Sequence, residues 1–116
     1  MHELKLAHEL MEVVLKKAAE NALIKVTRIT ICAGEASGVE IAFLRHSFED
    51  HLMPASPAEG AELIIAREPL EVKCRDCGRA IRNEGSALKT ICPACGGYDL
   101  EVIKGMSVRV ESIEGE

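Results

Sequence analysis

The stretch Cys74-Arg75-Asp76-Cys77, answered by Cys92-Pro93-Ala94-Cys95, decides how the C-terminal half of the chain is read. Fourteen residues separate the two Cys-x-x-Cys pairs. Each pair can present two thiolates to one metal ion from a single tight turn. Gly78 and Gly96 follow the second cysteine of each pair, where a positive φ lets backbone amides turn toward the sulfurs. Four thiolates at this spacing suit a tetrahedral structural Zn²⁺ with no position left for water. Two disulfides are the alternative, and four unrelated thiols the blander one. The spacing favours metal, because such pairs inside cells ligate metal more often than they oxidise.

The rest of the composition narrows the class. A chain of 116 residues holds one domain, or one domain and a small module. Its only aromatic residues are Phe43, Phe48 and Tyr98, so the core must be aliphatic. The net charge is −5 with acids and bases interspersed, which argues against a nucleic-acid surface. No apolar run reaches membrane length and no basic-then-apolar signal opens the chain, so a cytoplasmic protein is expected. Cys32 lies in an apolar β-branched run and reads as a small buried hydrophobe.

Working outward, residues 3–21 read as a helix with Leu4, Ala7, Met11, Val14 and Ala18 on one stripe. Residues 25–33 are β-branched and read as a strand stopped by Gly34. Ser37-Gly38-Val39-Glu40 has the form of a capping box, with Ser37 and Glu40 each bonding the other's amide. The helix it opens runs to about Met53, with Ile41, Leu44, Phe48 and Leu52 on one face. Residues 61–68 and 106–113 alternate as two more strands, and residues 114–116 are expected to fray. The expected fold is α+β: a three-stranded mixed sheet with two helices on one face, plus an inserted zinc-ribbon-like module built on the four paired cysteines. The boundaries expected are 1–69 with 105–116 for the main domain and 70–104 for the module. The module has few aliphatic residues and should need its metal to fold.

A second metal signal stands at the start, Met1-His2-Glu3. With the initiator Met retained, the α-amine, the His2 amide and the His2 ring form adjoining chelate rings. The Glu3 amide offers a fourth nitrogen, and planar nitrogen donors favour Ni²⁺ or Cu²⁺ over Zn²⁺. His8, His46 and His51 read as exposed surface residues. His46 and His51, five apart on an α-helix, are not expected to share a face. No nucleophile–base set and no phosphate-binding glycine loop is visible, so nothing supports catalysis.

Taken together, Met1-His2-Glu3-Leu4, Gly34-Glu35-Ala36-Ser37-Gly38-Val39-Glu40 and the two cysteine pairs resemble the HypA/HybF nickel metallochaperones of [NiFe]-hydrogenase maturation, end to end. The resemblance implies a nickel-binding α/β domain and a separate zinc domain. It implies that Met1, His2 and Glu3 carry Ni²⁺ as cargo and that Cys74, Cys77, Cys92 and Cys95 hold structural Zn²⁺. It further implies delivery to the hydrogenase large subunit with a HypB-type GTPase and, in some organisms, service to urease and its accessory proteins. Two rival readings stand beside it. One is a rubredoxin-like iron electron carrier, which the same knuckles would suit but the missing Trp and the length do not. The other is a zinc-ribbon nucleic-acid module, for which Lys73, Arg75, Arg79 and Arg82 cluster near the first knuckle.

Overall fold

The computed structural model describes residues 3–83 and 91–116, and for Glu3, Arg82 and Asn83 the backbone alone. Helix α1 (Glu3–Glu20) is followed by strand β1 (Val26–Gly34). A 3₁₀ turn (Glu35–Ser37) leads to helix α2 (Ile41–His46), which passes directly into a π-helical turn (Ser47–Leu52). Strands β2 (Glu62–Glu68), β3 (Leu70–Cys74), β4 (Ala80–Asn83), β5 (Leu100–Lys104) and β6 (Val108–Gly115) complete the order.

The strands form two sheets. In the first, β1 is central, parallel to β2 and antiparallel to β6. Both helices cover one face, onto which Ile29, Ile31 and Ala33 of β1 point and are buried. The opposite face is polar. There Arg28 bridges Glu62 at 2.7 Å and Glu114 at 2.8 Å on the flanking strands. The fold is thus α+β, a mixed three-stranded sheet with two helices and a four-cysteine cluster. The module also has a sheet of its own, antiparallel in the order β4-β3-β5, which periodicity does not reveal. Its strands are too short to show a period, and among the described residues its buried ones are only Leu70, Val72, Cys74, Ile81 and Cys92, with Leu100 against them.

Several local expectations need correction. Leu4 is half exposed, and Leu10 takes the place in the core that the helix stripe assigned to it. Ser37 does not cap a helix. It sits in the 3₁₀ turn, donates to the Gly34 carbonyl at 2.6 Å and accepts from the Val39 amide at 3.3 Å. Gly38, at φ +76°, then turns the chain, so that Glu40 becomes the residue preceding α2, with no side-chain cap. A short hydroxyl side chain bonds its own backbone readily, and here that local turn prevails over the capping box.

The π turn changes the second helix's register. Its wide ring is closed by the Met53 amide donating to the Phe48 carbonyl at 2.8 Å. That hydrogen bond spans five residues instead of four, so after Leu44 and Phe48 it is Met53 that is buried, while Leu52 is only partly so. The same geometry overturns the expectation that His46 and His51 face apart: their ring centroids lie 5.1 Å from one another.

In β6 the pairing slips between Thr30↔Ser112 and Ile31↔Val110, leaving Glu111 as the extra residue. A bulge of this kind lets Val110 and Ile113, three apart, both meet the core. The C-terminus does not fray: the Glu116 amide donates to the Lys25 carbonyl at 2.8 Å, and the Glu116 carbonyl accepts from the Ile24 and Lys25 amides. Cys32 is only half-buried. It lies on the polar face of β1, 3.5 Å from a Glu111 carboxylate oxygen, and burial together with that carboxylate pushes its thiol pKa up.

Candidate metal centre

The first knuckle continues directly from β3, whose last residue is Cys74. The Cys74 amide bonds the Arg79 carbonyl and the Gly78 amide returns to the Cys74 carbonyl at 2.7 Å, closing a tight turn around Cys77. The second knuckle repeats the turn. The Gly96 amide reaches the Cys92 carbonyl at 2.9 Å, and the Cys92 amide bonds the Gly97 carbonyl at 2.7 Å. Gly78 and Gly96 both adopt positive φ, +79° and +75°. The expectation for these two glycines is met, because a β-carbon there would be strained.

The four sulfurs converge, all lying within 4.8 Å of one another. Cys74 Sγ is 3.6 Å from Cys95 Sγ, and Cys77 Sγ is 3.7 Å from Cys92 Sγ. A disulfide requires about 2.05 Å, so these are thiols. With metal–sulfur bonds of about 2.3 Å, a tetrahedron has sulfur–sulfur edges of about 3.8 Å. The two closest pairs fit that edge. Cys74 and Cys92 are buried against the small sheet's core, and Cys77 and Cys95 lie on the outside.

The electrostatics also call for a cation. The backbone amides of Cys95 and Ala94 pull Cys92 down to about 7, against the cost of its burial. Cys95 behaves oppositely. The Gly97 amide, 3.4 Å from its sulfur, favours the thiolate, but the neighbouring sulfurs and burial prevail and push it up to about 12. Cys77 is likewise raised, the Arg79 amide being outweighed by burial and its cysteine neighbours. With a metal ion in place, the four sulfurs would make the closed four-thiolate shell of a structural site.

Among the basic residues near the first knuckle, Arg75 has acidic partners. Arg75 is held by Asp99 and Glu101, each at 3.6 Å, and its amide bonds the Asp99 carbonyl at 2.9 Å. The side chain of Arg82 lies outside the described residues, as do Met1 and His2. Of the N-terminal candidates only the Glu3 backbone is described, as the first residue of α1.

The family model described as "Hydrogenase/urease nickel incorporation, metallochaperone, hypA" matches residues 1–115. Among curated relatives, the chain is 34% identical to the hydrogenase maturation factor HypA of Aquifex aeolicus, over all of this chain and 98% of that one. It is 39% identical to the same factor of Dehalococcoides mccartyi, over 98% of this chain and 93% of the relative. Among solved structures, the solution structure of the Ni metallochaperone HypA from Helicobacter pylori superposes with a TM-score of 0.74 at 25% identity, covering 99% of this chain and 97% of that one.

Proposed function

This chain belongs to the HypA family, and from that premise we propose that it is a nickel carrier for hydrogenase maturation that holds its cargo at the N-terminus and a structural Zn²⁺ on its four cysteines. The observation that carries the reading is the family match over residues 1–115, which takes in Met1-His2-Glu3 and both knuckles in one span. The metal sites are Met1, His2 and Glu3 for Ni²⁺, and Cys74, Cys77, Cys92 and Cys95 for Zn²⁺. Residues 1–69 with 105–116 form the nickel domain and residues 70–104 the zinc domain. The protein is not an enzyme. It acts in the cytoplasm, with a HypB-type GTPase and the hydrogenase large subunit as partners.

The chemistry supports a carrier. Glu3 is the first described residue of α1, and nickel bound at the residues before it would meet the positive end of the helix dipole, which opposes it. Deprotonated amide nitrogens would offset that opposition. The α-amine, with an ordinary pKa of about 7.7–8.0, must lose its proton to bind. Opposed terms of this kind favour binding that can be reversed. At the cysteines, four convergent sulfurs, with two of their edges at 3.6 and 3.7 Å, support Zn²⁺, though they also suit iron.

The test is a Ni²⁺ titration of the zinc-loaded protein with a native N-terminus, beside His2→Ala and a version extended by one residue before Met1. The parent is expected to bind a Ni²⁺ that both variants lose. If all three bind nickel alike, the N-terminal site is wrong. Metal analysis of the purified protein decides the cysteine site: one zinc and no colour is expected, and a red protein containing iron would overturn it.

A further inference from the structure

The π turn places two imidazoles together that an α-helix would keep apart. Residues five apart on an α-helix point about 140° away from one another, whereas one wide turn stacks them. His46 and His51 are both exposed, with ring centroids 5.1 Å apart and planes at 83°. His46 Nδ1 also lies against an Asp50 carboxylate oxygen. With the ring neutral and its proton on Nδ1, facing Asp50, the Nε2 lone pair would be free to bind a metal. A carboxylate behind a histidine is the usual second partner of a metal-ligating imidazole.

The spacing fits a chelate. A metal about 2.0–2.1 Å from an imidazole nitrogen sits roughly 3.2 Å from the ring centre, so two rings at a tetrahedral angle have centroids about 5.2 Å apart. The observed separation matches. The scaffold is firm as well, since Ser47 and Phe48 between the two histidines, and Met53 beyond them, are buried. Local charge favours a cation: Glu49 answers Arg45 at 3.3 Å, which leaves the Asp50 carboxylate uncompensated except by His46.

We propose that His46 and His51 chelate one divalent transition-metal ion, with Asp50 as the positioning residue for His46 and water filling the remaining coordination positions. Two imidazoles and no thiolate suit Ni²⁺, Cu²⁺ or Zn²⁺ and not Mg²⁺ or Ca²⁺. The site is separate from the cysteine cluster, which belongs to the other sheet, and does not depend on the N-terminal nickel reading.

The experiment is a Ni²⁺ titration of the full-length zinc-loaded protein carrying His2→Ala, followed both by calorimetry and by the NMR signals of the histidine rings. The same is done with H46Q, H51Q and D50N added singly. Nickel is expected to bind to the H2A protein and to broaden the His46 and His51 signals together. H46Q and H51Q should each lower the affinity at least tenfold, while His8 signals serve as a reference for non-specific broadening. D50N should weaken binding by about 10–100-fold while leaving both ring signals responsive at saturation. An H2A protein whose nickel binding is unchanged by H51Q, or whose His46 and His51 signals broaden at different nickel concentrations, overturns the proposal. An H2A protein that binds no nickel also overturns this site and leaves the N-terminal one standing.

Discussion

Glu68 and Arg109 are joined by two hydrogen bonds, at 3.1 and 2.8 Å, where the chain passes between its two sheets. The same Glu68 carboxylate accepts from the Gly105 amide at 3.1 Å. One acidic side chain at the end of β2 therefore ties together the strand that leaves the larger sheet, the strand that returns to it and the glycine between the sheets. Gly105 lies against the backbone of Leu70, and the Ala36 amide bonds its carbonyl at 2.9 Å. Arg109, then burial acting against it, then the Gly105 amide set the Glu68 pKa, and the net direction is down. A carboxylate depressed in the folded state contributes stability above its unfolded pKa, and that contribution is lost as pH falls through the folded one. Stability should therefore drop as pH falls below about 4.3, the ordinary glutamate value. Urea unfolding at pH 7 and pH 3.5 checks this. Glu68→Gln should be less stable than the parent at pH 7 and lose less on acidification, and an equal pH dependence in both proteins would contradict the role.

Removing the cysteine-bound metal should melt the small sheet and spare the larger one. Among the described residues, its buried ones beyond the two cysteines are Leu70, Val72 and Ile81, too few to order a sheet of three short strands. The larger sheet keeps a core that includes Val14, Ile29, Ile31, Leu44 and Phe48. Chelation, or Cys92→Ser, should abolish amide exchange protection in β3, β4 and β5 while β1 retains it. Retained protection in β3 after the metal is gone would show that the sheet folds without it.

What could be read from the residues was whatever depends on local chemistry. The two knuckles have their ligands, turn glycines and spacing in adjacent positions, and their sulfurs do converge. Helix α1 and strand β1 have enough length to show a period. The misread features depend on partners distant in sequence. The π turn exists because Phe48 and Met53 both reach a core shared with α1, and no local pattern announces a wide turn. The bulge at Glu111 is visible only against β1. Cys32 lies in an apolar run, yet its face of β1 looks onto Arg109 and Glu111 of the neighbouring strand.

Ala22 ends α1 in a conformation that L-residues avoid, φ +54°. The Leu23 amide bonds the Ala18 carbonyl at 2.8 Å and the Ala22 amide the Ala19 carbonyl at 3.1 Å. This is the bond pattern of a Schellman motif, where glycine is preferred at the left-handed position. The left-handed region costs an L-residue about 1–2 kcal/mol, and glycine gives back part of that gain through its freer unfolded chain. Ala22→Gly should raise the unfolding free energy by roughly 0.5–1 kcal/mol. Denaturant titration would show this as a higher midpoint at unchanged slope; a lower midpoint would mean that the helix end is not held in this motif.

The two phenylalanines of the second helix make a paired test of which face meets the core. Phe48 is fully buried and Phe43 is 61% exposed, although only five positions separate them. Phe48→Ala leaves a cavity among aliphatic side chains that cannot collapse around it, and should cost about 3–5 kcal/mol. That is a large share of the roughly 5–15 kcal/mol typical of a folded domain. Phe43→Ala removes a side chain that mostly faces water, and should change stability by no more than about 0.5 kcal/mol. Urea unfolding of both variants, monitored by far-ultraviolet circular dichroism, measures the difference. Comparable losses from the two would mean that Phe48 is not the member of this pair that meets the core.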